Sequence, residues 1–106
     1  MPTYLFEVSY SVEGAAGLLE QGGTARLEAI TTAMEALGGS VESFHYAFGH
    51  DDAYLIASLP DAEAVAALSI TVAAAGGARV TSHELLTPQQ VDEAVKVRVD
   101  YNPPVA

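Results

Sequence analysis

Residues 40–59 of the chain read SVESFHYAFGHDDAYLIASL, two alternating segments that meet at a glycine, a histidine and two aspartates. Alternation with a period of two is typical of a β-strand, so residues 40–48 and 53–59 are predicted as strands. A connection as short as residues 49–52 joins antiparallel neighbours. This central hairpin is the element around which the rest of the fold is predicted.

The segments on either side of the hairpin each supply one strand and one helix, and a separate turn of helix that stops at Gly22-Gly23 is predicted ahead of the first of these helices. In residues 3–10, TYLFEVSY, every second residue from Tyr4 onward is aromatic or aliphatic, whereas the residues between them include Glu7 and Ser9. This alternation predicts the first strand. Residues 78–86 are predicted as the fourth strand. A helical pattern precedes the hairpin and another follows it, so the order is β-α-β-β-α-β. That order predicts an α+β, ferredoxin-like fold in which a four-stranded antiparallel sheet carries two helices on one face.

Capping residues indicate where the helices begin. Thr24 is predicted to cap the helix before the hairpin and Asp61 the helix after it, because short polar side chains accept hydrogen bonds from the first N–H groups of a helix. In residues 87–90, TPQQ, threonine is predicted as a further N-cap with proline at the first helical position. We therefore predict a single domain over residues 1–97, ending with this extra C-terminal helix, and a tail over residues 98–106.

The charge of the chain limits its partners. It has 14 acidic and 4 basic residues, a formal net charge of −10. Nucleic acid and anionic membrane surfaces repel such a chain, and its longest apolar stretch is interrupted and too short for a membrane span. The absence of cysteine excludes disulfides and thiolate chemistry, and no cofactor is predicted. No signal peptide is recognisable, so we expect a cytoplasmic protein.

One face of the predicted sheet carries no helix, and its composition predicts self-association. Half of the residues are hydrophobic and only 17% are charged, which is more apolar surface than one small core buries. On the second and third strands both faces retain apolar side chains. A homo-oligomer in which two such faces meet would bury this surface and could enclose a pocket.

Five stretches of the chain together resemble the GYD-domain family. They are MPTYLFEVSY (1–10), GLLEQGG (17–23), EALGGSVESFHYAFG (35–49), DAYLIASLPD (52–61) and LLTPQQVDEAV (85–95). The resemblance implies a small bacterial protein of ferredoxin-like fold with no established activity, similar in topology to dimeric α/β-barrel proteins. Gly49 and Asp52 match the Gly-x-Tyr-Asp-like pattern that names the family. Asp51 stands at the tyrosine position of this pattern, so a role of the tyrosine ring is not expected in this chain.

The tetrad Gly49-His50-Asp51-Asp52 allows two interpretations. A histidine beside two carboxylates could hold a divalent cation, but neighbouring residues of a tight turn point apart and do not converge on a metal ion. In a turn, glycine supplies a positive φ and aspartate accepts from backbone N–H groups. The turn is favoured: Gly49 and Asp52 are predicted to shape the hairpin, and no metal site is predicted.

The uncovered sheet face holds the most plausible small-molecule site. Glu7 and Ser9 lie on the predicted first strand, opposite the face of Phe6. A carboxylate on a central strand must line a pocket, pair across an interface or face solvent, because burying it alone is costly. The further members of this predicted pocket or interface are Tyr54 and Ser58, with either His45 or Tyr46.

Two histidines are candidates for acid–base chemistry, since histidine titrates near neutral pH. His45 and His83 are predicted on the second and fourth strands. These are the two edges of a ferredoxin-like sheet of order 4-1-3-2, so the histidines cannot meet within one subunit. They could approach each other across a dimer.

The sequence leaves two functions open. The first is a non-catalytic oligomeric binding module that holds a small apolar or aromatic molecule in a pocket on the open sheet face. The second is a cofactor-independent enzyme of the dimeric-barrel type, in which Glu7 with His45 or His83 acts as acid and base on a small aromatic or keto substrate. The binding module is favoured because no catalytic set stands at a recognisable spacing.

Overall fold

The computed structural model describes residues 1–105, which form four strands and four helices. In chain order these are β1 (Thr3–Tyr10), α1 (Val12–Gln21), α2 (Gly23–Ala36), β2 (Ser40–Tyr46), β3 (Ala53–Ser58), α3 (Ala62–Ala75), β4 (Ala78–Leu85) and α4 (Pro88–Ala94). The strands form one antiparallel sheet of order β2-β3-β1-β4. The predicted α+β, ferredoxin-like fold is confirmed, with β2 and β4 at the sheet edges. None of these helices combines the length and apolarity that a membrane crossing requires.

The register divides every strand between two faces of the sheet. Burial alternates along β1, so that Phe6 is buried whereas Glu7 is half-buried. Antiparallel pairing places Phe6 opposite Leu55 and Glu7 opposite Tyr54. We call the face of Phe6 and Leu55 the covered face, because the core helices pack on it. We call the face of Glu7 and Tyr54 the open face.

The core lies between the covered face and the helices α2 and α3. Met34 of α2 is fully buried, and α3 contributes Ala64, Val65 and Leu68. Complete burial of a side chain the size of leucine or methionine stabilises a fold by about 1.5–3 kcal/mol. This packing therefore fixes which sheet face is covered and leaves the other one without a helix.

The capping predictions are confirmed at two helices and wrong at one. Asp61 caps α3, its carboxylate accepting from the Ala64 N–H at 2.8 Å. Thr87 and Gln90 form both hydrogen bonds of a capping box at α4, at 3.1 and 2.8 Å. Thr24, in contrast, lies inside α2. Gly22 alone separates α1 from α2, and its φ of 84° turns the chain with no side-chain cap.

α1 is held against the corner between α3 and β4 by contacts that involve glycine. The Ser11 N–H donates to the Gly77 carbonyl at 3.0 Å, and the Ser11 hydroxyl donates to the Gly76 carbonyl at 2.6 Å. Gly76 ends α3 in the left-handed conformation, with φ 82°. Gly14 lies so near Gly77 that a Cβ atom on it would be 1.8 Å from the Gly77 carbonyl oxygen. Only glycine permits this approach, so it sets the position of α1.

Residues 86–105 project from this body, and we call them the C-terminal arm. All of them are exposed, including α4. The radius of gyration is 17.0 Å, whereas a compact chain of this length has about 13 Å. α4 ends at Ala94, and only hydrogen-bonded turns continue to Val97. The predicted tail reaches Ala106, which lies outside the described residues.

Candidate functional site

The connection between β2 and β3, residues 47–52, folds back onto the end of β1. The Asp52 N–H donates to the Val8 carbonyl at 2.8 Å, and the Asp52 carboxylate accepts from the Tyr10 N–H at 2.7 Å. Asp52 thus anchors the connection. The residue with positive φ is Phe48, at 52°, and not Gly49. The prediction that Gly49 supplies a positive φ is therefore wrong, because the residue in that conformation is one position earlier in the chain.

This connection carries Asp51 to the open face, where it is buried with only 7% exposure. One carboxylate oxygen accepts from the Ser9 hydroxyl at 2.8 Å, and the other lies 3.3 Å from His50 Nδ1. The hydrogen bond from Ser9 holds the pKa of Asp51 below its ordinary value of 3.8, although burial acts in the opposite direction; Glu7 and His50 also lower it. Asp51 is therefore an anion at neutral pH.

Glu7 pairs with His83 of the neighbouring strand. The register sets Leu5 opposite His83 and Glu7 opposite Thr81. The His83 imidazole reaches along the strand so that its Nε2 atom lies 3.0 Å from Glu7 Oε1. The Glu7 side chain is 26% exposed and the His83 side chain 54%, so solvent reaches the pair from the open face.

These side chains line a hollow of about 430 Å³ on the open face. Its lining residues are Glu7, Ser9, His50, Asp51, Arg79, Thr81 and His83. Within residues 1–105, no three His, Asp or Glu side chains are arranged to hold a metal ion. The hollow combines two carboxylates, two imidazoles, a guanidinium and two hydroxyls. It can therefore bind hydrogen-bond donors and move protons.

An apolar strip adjoins the hollow. Tyr54 lies opposite Glu7 on β3. The next pair of the ladder whose side chains lie on the open face is Leu5 with Ile56. All three apolar side chains are half-buried. The open face thus has a polar end beside an apolar centre, which is the combination found in sites for small organic molecules.

The GYD domain model matches residues 4–95 of the 106-residue chain, from β1 to the end of α4. The chain belongs to the GYD-domain family. The match extends over the whole sheet and all four helices apart from their outermost residues, which confirms the resemblance seen in the sequence. A comparison with curated proteins finds no significant match.

Two residues predicted for the pocket of this GYD domain lie on the open face but away from the hollow. His45 is exposed on the edge strand β2, and Tyr54 stands between it and Glu7 in the ladder. Ser58 is four residues from Tyr54, about 13 Å along the strand. Its hydroxyl donates to Glu42 at 3.1 Å. His83, and not His45, is therefore the histidine beside Glu7.

Tyr46 lies on the covered face and does not belong to the open-face pocket. It pairs with the buried Ala53 across the ladder, and its hydroxyl donates to the Gly23 carbonyl at 3.1 Å. The alternation of β2 requires that His45 and Tyr46 face opposite ways, so the open choice between them is resolved in favour of His45.

His50, Asp51, Arg79 and Thr81 are the members of the hollow that sequence reasoning missed. The tetrad pattern assigns His50 and Asp51 only to a turn, although Asp51 is buried in the hollow. Strand alternation gives no signal for it, because the ladder ends at the pair of Val8 and Ala53, and its continuation would turn Asp52, and not Asp51, to the open face. Arg79 and Thr81 flank the half-buried Val80 on β4, so strand alternation places both on the open face.

Proposed function

We propose that this GYD domain is a homo-oligomeric binding module that holds a small aromatic molecule between the open faces of two copies. The observation that supports it is the polar hollow around Glu7, His83 and Asp51, beside the apolar strip of Tyr54 and its neighbours. An aromatic ring would lie on the strip, and a hydroxyl or amine on the ring would donate to a carboxylate in the hollow. Such a division between apolar walls and a few polar groups is usual for small-molecule sites.

A second copy would complete the site by excluding water. In one chain the Glu7–His83 pair is open to solvent, and water competes for each of its hydrogen bonds. Covering the open face would strengthen the electrostatic interactions in the hollow, because the local dielectric constant falls. The C-terminal arm offers further apolar surface for such an assembly. Its exposed apolar side chains are Leu86, Val91, Val95, Val97, Val99, Tyr101 and Val105.

The assembly is tested by placing a charge on the open face. Ile56→Lys should give a monomer, because an ammonium group would have to be buried between two sheets. Ile70→Lys is the matched control, since Ile70 lies on α3 and is already 68% exposed. Size-exclusion chromatography with light scattering gives the mass of each variant. A monomeric wild-type protein, or an unchanged oligomer in Ile56→Lys, contradicts the proposal.

Ligand binding is tested with 4-methylphenol, followed by two-dimensional NMR. Saturable shifts are expected at Leu5, Tyr54 and Ile56. Glu7→Gln should weaken binding by about tenfold or more, because a hydrogen bond to a charged group contributes about 1.5–3 kcal/mol. Glu20→Gln, at an exposed position of α1, removes the same charge and should have no effect. Equal affinity of Glu7→Gln and wild type would place the phenol elsewhere.

A second candidate function is acid–base catalysis, which the Glu7–His83 distance of 3.0 Å favours. A carboxylate that accepts one imidazole N–H orients the ring and leaves the other nitrogen free to take a proton. The pair would remove a proton from the carbon beside a carbonyl group of a keto substrate and return one to the same carbon.

This activity is measured as deuterium incorporation into phenylacetone in D2O. The C–H bond breaks, the pair takes the proton, and a deuteron from solvent replaces it. Glu7→Gln and His83→Asn should both abolish exchange, and His45→Asn should not. If the wild-type protein exchanges no faster than buffer, the enzyme is excluded and the binding module stands alone.

A further inference from the structure

A second cavity lies on the covered face, on the side of the sheet opposite the hollow. It occupies about 370 Å³ among α1, α2 and α3, and a chamber of about 40 Å³ adjoins it toward the sheet. Tyr10, Arg26, Val72 and Ala78 line both spaces. The two spaces are therefore chambers of one cleft, and Arg26 lies where they meet.

The outer chamber is roomy because its walls carry small residues. Its lining includes Gly14 and Gly17 of α1, Ala75 at the end of α3 and Gly77 just after that helix. A Cβ atom on Gly17 would meet nothing within 4 Å, so this wall leaves space for a flat ring. The inner chamber is mostly apolar, and its remaining lining residues are Val8, Ile30, Phe44 and Val80.

Arg26 supplies a positive charge in this cleft, with no counterion among the residues that the structure describes. It is half-buried in the first turn of α2, whereas Arg79, Lys96 and Arg98 are exposed. Lys96 pairs with Glu93 at 3.0 Å, but within residues 1–105 no carboxylate lies within 4.0 Å of Arg26. The chain has 14 acidic side chains available. An unpaired, partly desolvated guanidinium is costly, so its location points to an anion from outside the chain.

The neighbouring Tyr46 does not neutralise Arg26. The Tyr46 hydroxyl donates a hydrogen bond to the Gly23 carbonyl. Burial and, after it, the neighbouring Tyr10 hydroxyl raise the pKa of Tyr46 to about 12, although Arg26 acts in the opposite direction. Tyr46 is therefore uncharged at neutral pH and leaves the positive charge of Arg26 uncompensated.

We propose that this cleft is a second ligand site, which binds a small aromatic carboxylate. Its carboxylate group pairs with the Arg26 guanidinium, whose planar fork matches a carboxylate in a bidentate contact. The aromatic ring lies in the outer chamber against the glycine and alanine wall. A volume of about 370 Å³ is within the usual range for small-molecule pockets. Exposed Glu13, at the α1 end of the cleft, acts against the anion and keeps its affinity moderate.

The test is a titration of the full chain with 2-naphthoate, followed by two-dimensional NMR. Saturable shifts are expected at Gly14, Gly17 and Ala75. Arg26→Gln should weaken binding by about tenfold or more, because the lost contact is a charge-assisted hydrogen bond. Arg98→Gln on the exposed C-terminal arm removes the same charge and should leave the affinity unchanged. Neutral 2-naphthamide should bind as weakly to wild type as 2-naphthoate binds to Arg26→Gln.

A second variant tests the position of the ring independently of charge. Gly17→Leu places a larger side chain in the outer chamber without changing its charge and should abolish saturable binding, while circular dichroism shows that α1 is intact. Equal loss in Arg26→Gln and Arg98→Gln would mean that naphthoate responds only to net charge. That result, no saturable binding to wild type, or full affinity in Gly17→Leu would each overturn the proposal. If Arg26→Gln does not fold, the Gly17→Leu result decides.

Discussion

Replacing Gly14 by alanine should destabilise this protein, whereas the same replacement at Gly17, three residues further along α1, should not. Both glycines lie within one helix, so alanine improves the helix propensity of each position by about 1 kcal/mol. They differ in what faces them. A Cβ atom on Gly14 would lie 1.8 Å from the Gly77 carbonyl oxygen, and a Cβ atom on Gly17 would meet nothing within 4 Å.

The expected magnitude at Gly14 follows from the contacts that must move. Backbone faces backbone there, so α1 has to shift away from Gly77, and such overpacking costs about 1–3 kcal/mol. The shift also weakens the two hydrogen bonds that Ser11 makes to Gly76 and Gly77, each with a net value of about 1 kcal/mol. After the gain in helix propensity, Gly14→Ala should lower the free energy of unfolding by about 2–4 kcal/mol. Gly17→Ala should raise it by up to about 1 kcal/mol.

Urea and thermal denaturation, followed by circular dichroism, measure both changes. A shift of the urea midpoint at constant slope reports a change in stability. For a domain of this size, the melting temperature should fall by at least about 8 °C in Gly14→Ala. The variants must be compared at one protein concentration, because self-association contributes to stability. If Gly14→Ala and Gly17→Ala have the same midpoint, the close approach of α1 to Gly77 is wrong, and so is the wall of the cleft that depends on it.

Two further predictions concern pH. Burial raises the pKa of Tyr46 from 10.0 to about 12. Its contribution to stability is therefore complete below pH 10.0 and is lost as the pH rises through about 12. Tyr46→Phe should remove the tyrosinate absorbance step near pH 12, and Tyr101→Phe should retain that step. The hydrogen bond from Ser9 lowers the pKa of Asp51, so the Asp51 contribution is present above pH 3.8 and is lost as the pH falls through the lowered pKa. Asp51→Asn should therefore flatten the acid side of the stability curve, and an unchanged curve, as expected for the control Asp100→Asn, would contradict this.

Much of the fold was predictable because its signals are local. The alternation in residues 40–59 requires only that neighbouring side chains point to opposite faces of a strand. The capping box at Thr87 requires only Gln90 three residues later. The one capping error, at Thr24, has a tertiary cause: α1 packs onto Gly77 and leaves a single residue, Gly22, to turn into α2.

The candidate site was predictable in part. Glu7 and Ser9 were found because a polar residue on a central strand is conspicuous against apolar neighbours. His83 was a candidate for its chemistry alone, and only the register of β4 against β1 brings its Nε2 atom to Glu7. Asp51 was missed because its burial depends on a connection that folds back onto β1. A pattern confined to the connection itself contains no information about that contact.

The amino-acid sequence by itself determined the order of the elements, the acidic surface and an open sheet face with Glu7 on it. Each of these depends on residues a few positions apart and on the periodicity of the backbone. Only the tertiary structure decided that Asp51 and His83 share a hollow with Glu7 and that Tyr46 belongs to the covered face. It also decided that Arg26 lies in a cleft with no carboxylate of residues 1–105 within 4.0 Å. In each of these arrangements the residues lie tens of positions apart in the sequence. Strand register and helix packing bring them together, because both act between segments that are distant along the chain.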